Sequence, residues 1–303
     1  MRRRWWRWKG RKAPEGKGFV LALGGGGGRG LAHLGVLDVL EEHDLRPRAI
    51  VGSSIGAMFG TMYALQPDAK QVIERVSTFL RSPAFAELNL PVIDGAEVED
   101  QTWLSALTAA ARQTMLFTRA ATGIAVSRVE TLVGVADTLC QGKDFIDLAI
   151  PMHICAVRFP SGECRVFDDG DLIRSVAASM AVPGVFEPLL IDGEKFVDGG
   201  LASEVPAREA RLVADNDVVV AVNVGARPDP SFEPSNVLSM LDWATRVKSL
   251  YLRHFEKTLA DVLIEPLVGF RQWHDFSRVE AEIEAGRQAA LEQLPLLHRL
   301  LGR

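Results

Sequence analysis

Apolar and polar positions fall into short blocks along the chain, and the blocks change period. Gly18–Leu23 (GFVLAL) is an unbroken apolar run, as a strand buried on both faces requires. The glycine run Gly24–Gly28, Arg29 and Gly30 follow it. Leu31, Leu34, Val36, Leu37 and Leu40 then recur at helical spacing and predict a helix to about His43. Arg46-Pro47 marks a turn, Ala49-Ile50-Val51 a short strand, and Ser54 opens a helix over Ile55–Leu65. The same style returns further on. Met152–Phe159 and Arg165–Phe167 read as strands, and Asp171–Met180 as a helix stopped near Pro183. Leu189–Ile191 and Lys195–Val197 read as strands about the Asp192-Gly193 turn. Asp217–Val224 (DVVVAVNV) reads as a buried parallel strand.

Strands alternating with helices predict an α/β fold: three α/β/α layers around a mostly parallel central sheet. Residues 1–17 read as a separate, disordered, basic tail, and residues 18–303 as one domain with its core at about 19–210. A helical insert is expected at about 77–131, with no clear strand. Trp103, Leu107, Ala110, Ala111 and Met115 form an amphipathic face there, either core stripe or lid and lipid contact. The C-terminal part, about 235–303, reads as helical through Asn236–Leu263 and Glu280–Leu301.

Charge changes this picture at the N-terminus. The first twelve residues hold seven Arg and Lys and no acid; taking those from a net charge of -5 leaves -12 for the body. An acidic body argues against a nucleic-acid partner, since phosphate contacts need cations. Trp5, Trp6 and Trp8 among the tail cations suit peripheral attachment to an anionic membrane, the alternative being a disordered basic end. Three cysteines with no C-x-x-C spacing argue against a disulfide framework and a zinc site and fit a reducing, cytoplasmic location. No apolar run reaches the about 18 residues of a membrane span, and no secretory leader is legible.

Three motifs carry candidate chemistry. Gly52-Ser53-Ser54-Ile55-Gly56 is a G-x-S-x-G lying between an apolar strand and a helix, where a sharp turn would hold the Ser54 hydroxyl out at a helix N-terminus. The glycine run offers backbone N–H groups to a developing oxyanion, with Gly26, Gly27 and Gly28 as the leading donors and Arg29 beside them. It also contains Gly25-x-Gly27-x-x-Gly30, a dinucleotide-binding pattern, but the acid that pattern needs near the end of the second strand is missing. Asp198-Gly199-Gly200 follows a strand and could expose the Asp to a shared cleft; alone it reads better as an ordinary turn.

Taken together, these motifs and the stretch Ala178–Phe186 (ASMAVPGVF) resemble the patatin-like phospholipase family. The resemblance runs from about Phe19 to Pro206 and continues more weakly to Gly286. It implies Ser54 as nucleophile, Asp198 as base of a Ser–Asp dyad, and an oxyanion hole from Gly25, Gly26, Gly27, Gly28, Arg29 and Gly30. Gly52, Gly56, Gly199 and Gly200 would support the motifs. The implied substrates are phospholipids, lysophospholipids or related acyl esters. One departure stands out: the family often has asparagine shortly after its D-G-G/A, and here Ser203 and Glu204 occupy that region.

A Ser–acid–His triad is the rival arrangement, with His274 its best base. His33, just inside the first helix, reads as packing near the glycine loop. Asp168-Asp169-Gly170-Asp171 resembles part of a calcium loop but lacks the remaining ligands, so a turn with a helix N-cap is expected. Neither H-E-x-x-H nor G-x-x-x-x-G-K-[ST] occurs, and no metal or cofactor is expected. Two other functions stay open: a nucleotide-binding oxidoreductase built on the glycine run, and a non-catalytic membrane or regulatory module of the same fold.

Overall fold

The run FVLAL forms strand β1 (Phe19–Leu23), and all five of its residues are buried. A computed structural model of the chain describes residues 17–86, 124–234, 237–270 and 272–303. The tail at 1–16 and the amphipathic face from Trp103 to Met115 lie outside the described residues. After β1 come helix α1 (Ala32–Glu42), strand β2 (Ala49–Ser53), and helices α2 (Ile55–Leu65), α3 (Ala69–Leu80) and α4 (Pro83–Ala86). Next are β3 (Ala125–Ser127), α5 (Val129–Cys140), β4 (Met152–Phe159), β5 (Cys164–Phe167), α6 (Leu172–Ser179), β6 (Gly184–Phe186), β7 (Leu189–Ile191) and β8 (Glu194–Asp198). The chain ends with α7 (Ala207–Ala214), β9 (Val218–Val222), α8 (Val237–Lys257), β10 (Val262–Ile264) and α9 (Val279–Leu301).

The main sheet runs β10-β9-β1-β2-β4-β8-β7, with β5 also paired to β4. Pairing is parallel from β10 through β4, and antiparallel where β4 meets β5 and β8 and where β8 meets β7. Because side chains alternate across a strand, β1 feeds two cores. Phe19, Leu21 and Leu23 pack with α1, α2 and α9 on one face. Val20 and Ala22 join Ala207, Ala210 and Ala214 of α7 on the other. The protein is therefore an α/β/α sandwich about a mostly parallel sheet.

Two expectations are corrected. The C-terminal part is not wholly helical: Val262–Ile264 is an edge strand parallel to β9, two of its three residues buried. A three-residue apolar strand is too short to show a period. The stretch assigned to a strandless insert contains β3, which pairs with β6 in a second, two-stranded parallel sheet. The long C-terminal helix α9 packs on α1 at backbone contact. A Cβ on Gly35 would fall 1.9 Å from the Ile283 carbonyl oxygen, and one on Gly286 1.9 Å from that of Ala32.

The architecture dictates where chain segments converge. The last residue of β2, Ser53, lies opposite Cys155 of β4. The last residue of β8, Asp198, lies opposite Ala156. Two strands far apart in sequence thus end at neighbouring positions of β4.

Candidate active site

Ser54 is the first residue after β2 and the N-cap of α2. Its backbone has φ 53° and ψ -124°, a region that costs a non-glycine residue roughly 1–3 kcal/mol. The turn is sharp enough that its flanks must be glycine. A Cβ on Gly52 would lie 2.5 Å from the Cα of Ala57, and one on Gly56 2.2 Å from the Leu23 carbonyl oxygen. The G-x-S-x-G therefore forms the strand-to-helix elbow expected of it.

Asp198 arrives from β8 and is buried. Its Oδ2 accepts the Ser54 hydroxyl at 2.7 Å. Its Oδ1 accepts the Gly200 N–H at 2.7 Å. Gly199 has no room for a side chain, since a Cβ would lie 2.2 Å from the Cys155 carbonyl oxygen. Burial drives the Asp198 carboxyl up to about 7, against the bonds from Ser54 and Gly200, and nearby Glu204 adds to the rise. A base with that pKa is matched to proton transfer near neutral pH.

The glycine run crosses in front of Ser54. A Cβ on Gly25 would touch the Ser54 Cβ at 3.4 Å. Its N–H groups are not equivalent, and this narrows the expected set. Gly25 donates to the Glu204 carbonyl at 2.8 Å and Gly28 to the Trp273 carbonyl at 2.7 Å. Arg29 and Gly30 lie inside the 3-10 turn that starts at Gly27. Among the described residues, the N–H groups of Gly26 and Gly27 have no acceptor, and both residues line the cavity at Ser54. Arg29 is held by its Nε–H to the Val224 carbonyl at 3.1 Å. Burial lowers its guanidinium to about 10, which leaves it charged at neutral pH.

The cavity beside Ser54 has a volume of about 260 Å³. Asp198, Gly26 and Gly27 are among the residues that line it. Met58, Phe79, Leu132, Leu139 and Phe186 are among its apolar lining side chains. Such a space accepts an alkyl chain and gives little to a charged one.

The histidines take other places. His33 is fully buried, donates through Nε2 to the Gly24 carbonyl at 2.8 Å, and is driven down to about 4 by burial. It braces the glycine loop as a neutral ring, as expected. His274 packs edge-on against Trp273, with centroids 5.7 Å apart, and is not among the residues lining the cavity. Asp171 accepts the Arg174 N–H and caps α6, so the acidic stretch before it is a turn with an N-cap. Among the described residues, no cluster of three or more His, Cys, Asp or Glu side chains could hold a metal ion, and no helix is long and apolar enough to cross a membrane.

Two contributors to the site were given no role from the sequence. Ser179, buried at the end of α6, accepts the Ser54 N–H through its Oγ at 2.9 Å and so helps fix the elbow. Its only signal was membership of the stretch Ala178–Phe186. Glu204 ties the glycine loop to α8. Its carbonyl holds Gly25, and its carboxylate takes the Arg253 guanidinium and the Ser249 hydroxyl. Ser203 turns away and donates to Glu209 at 2.5 Å. Glu204, in the region where the family often has asparagine, thus anchors the loop from behind.

Comparison with known proteins identifies the family. The family model described as patatin-like phospholipase matches residues 21–211. Patatin-like phospholipase domain-containing protein 6 of Mus musculus is 32% identical over 216 residues, 71% of this chain and 14% of that protein. The chain thus spans about one seventh of that relative's length. An uncharacterized NTE family protein of Mycobacterium bovis is 27% identical over 281 residues, covering 91% of this chain and 68% of that one. Among solved structures, VipD from Legionella pneumophila aligns over 94% of this chain and 67% of its own, at 16% identity and a TM-score of 0.47. The matched segment holds the glycine loop, the Ser54 elbow and Asp198 in one continuous stretch of well over half the chain, and the chain belongs to the patatin-like phospholipase family.

Proposed function

We propose that this chain is a serine-dependent lipid acyl hydrolase that cleaves carboxylic esters of phospholipids, lysophospholipids or related acyl esters through Ser54 and Asp198. The observation that carries it is the 2.7 Å bond from the Ser54 hydroxyl to the Asp198 carboxylate in the lining of a mainly apolar cavity. Family membership supports the same reading and supplies the lipid substrate class.

The mechanism follows from the positions. An acyl chain lies among the apolar side chains and brings its ester carbonyl to Ser54. The hydroxyl attacks as Asp198 takes its proton. Negative charge grows on the carbonyl oxygen, towards the unpaired N–H groups of Gly26 and Gly27; each such donor is worth about 2.7–4 kcal/mol to a transition state of this kind. The protonated Asp198 then returns its proton to the leaving alkoxide, and an acyl-serine remains. Water attacks that ester, Asp198 again takes the proton, and Ser54 is regenerated with release of the fatty acid. No histidine, metal or cofactor is used.

Residues 18–303 act in this reading as one catalytic domain, since β10 and α9 belong to the same sheet and core as the site. The three free cysteines and the basic, Trp-rich tail favour a cytoplasmic protein held at the inner membrane surface.

Turnover of a p-nitrophenyl ester tests the proposal. Ser54→Ala and Asp198→Asn are each expected to lower kcat at least about 1000-fold with folding retained. His274→Ala is expected to keep most of it. Loss of activity in His274→Ala equal to that in Ser54→Ala would replace the dyad with a triad.

A further inference from the structure

Helix α8 faces the wrong way for a helix on a water-soluble surface. Asp242, Arg246, Ser249, Arg253 and Glu256 lie along one side of it at helical spacing, and this polar side is turned into the protein. Arg253 and Glu256 are buried. Arg246 pairs with Asp242 at 2.7 Å and bonds Gln272. Arg253 holds Glu204, and Glu256 accepts the Val205 N–H at 2.8 Å. The opposite side carries Met240, Leu241, Tyr251 and Phe255. There Tyr251 is 71% exposed and Phe255 62% exposed. Beside this stripe, the segment after β10 presents Leu267, 93% exposed, and Phe270. Leu250, Tyr251, Leu267 and Phe270 share the walls of one cleft with Arg227, His254 and Lys257.

Scattered apolar side chains are ordinary on a protein surface; a continuous apolar stripe with the polar side of the same helix buried marks a contact surface. The charges on it select the occupant. Both acids of α8 point inward, and the charged side chain it exposes is Lys248. Arg227 is exposed at the rim of the cleft, and the one acid there, Glu265, is tied to Lys257 at 2.9 Å and to Asn223. The face is thus apolar and cationic on a body of charge -12. A second copy of the chain would set these cations against their equivalents. An anionic lipid surface takes the apolar side chains into its interface and pairs the cations with headgroups.

The stripe is also joined to the site. The inner side of α8 grips Glu204 and Gln272. Glu204 lines the cavity at Ser54, as does Trp273, the neighbour of Gln272. We propose that the outward face of α8, together with Leu267 and Phe270, is a docking surface for an anionic lipid bilayer, distinct from the N-terminal tail, which sets the cavity against the membrane.

The test uses the full chain and a double variant, Tyr251→Ser with Phe255→Ser, and separately Lys248→Glu. Partition onto vesicles of phosphatidylglycerol and phosphatidylcholine is measured against vesicles of phosphatidylcholine alone. Wild type is expected to bind the anionic vesicles, and the double variant about tenfold or more weaker, with the tail intact in both. Lys248→Glu is expected to weaken binding to anionic vesicles alone. Turnover of a soluble p-nitrophenyl ester is expected to be unchanged in both variants, which also shows that they fold. The docking proposal rests on the lipid substrate of the acyl hydrolase reading, but its readout is separate. A wild type that binds vesicles and turns over no ester contradicts the catalytic reading alone. Equal vesicle binding by wild type and the double variant, absence of binding by wild type, or a wild-type dimer that the double variant dissolves would each overturn the docking surface.

Discussion

An aspartate in water has a pKa near 3.9 and is a poor base for a hydroxyl; burial brings Asp198 to about 7. Two outcomes follow at this scale, and the sign of each is fixed. Asp198 must be ionised to accept the Ser54 proton, so kcat/KM should fall with unit slope as pH drops below about 7. The same raised pKa works against the fold. Between about 4 and 7 the unfolded chain releases this proton and the folded chain keeps it, so its contribution to stability is lost as pH rises through that window. Asp198→Asn, which cannot ionise, should gain on wild type in denaturant midpoint from pH 4 to pH 7, by on the order of 1 kcal/mol per pH unit. A difference flat in pH would mean that the carboxyl is ionised at its ordinary pKa. The proposed dyad was legible in sequence only through the family resemblance at Gly52–Gly56 and Asp198–Gly200; the small residues mark both turns but leave Asp198 alone as an ordinary turn. The division of labour among the glycines was not. The acceptors that occupy the N–H groups of Gly25 and Gly28 are carbonyls of Glu204 and Trp273, and a backbone carbonyl leaves no trace in residue identity.

Among the elements, the central strands and α2 were readable from their apolar runs, while β3, β6 and β10 were not. Each of those has three residues, too few to show a period of two; β10 forms on the edge of the longer β9, and β3 and β6 form by pairing with each other. Helix α8 was read only as a helical stretch within Asn236–Leu263, and periodicity does not tell which way its apolar face points. Its inward polar side has a consequence for the site. Arg253→Met should release the Glu204 carboxylate and loosen the peptide whose carbonyl holds Gly25. The expected result is a drop of about 10- to 100-fold in kcat with smaller change in KM, read from ester kinetics. An unchanged kcat would show that the loop holds its shape without α8.

At the level of the whole molecule, the topology creates the site. β2 and β8 end at neighbouring residues of β4, so residues 144 positions apart in the chain meet in one hydrogen bond. The C-terminal helix is part of the same construction, since α9 touches α1 where Gly286 and Gly35 leave no space for a side chain, and α1 begins directly after the glycine loop. Gly286→Val should force the two helices apart and lower the melting temperature by about 10 °C or more, with activity lost in the same transition. Retained stability in that variant would mean that α9 is not part of the cooperative unit.

The most direct test of the central claim is the site and rate of labelling by a fluorophosphonate, read by mass spectrometry of the intact and digested protein. Wild type should carry one adduct, on Ser54, formed faster as pH rises through about 7, with Asp198→Asn labelled at least about 100-fold more slowly. An adduct on any other residue, or equal rates in wild type and Asp198→Asn, would contradict it.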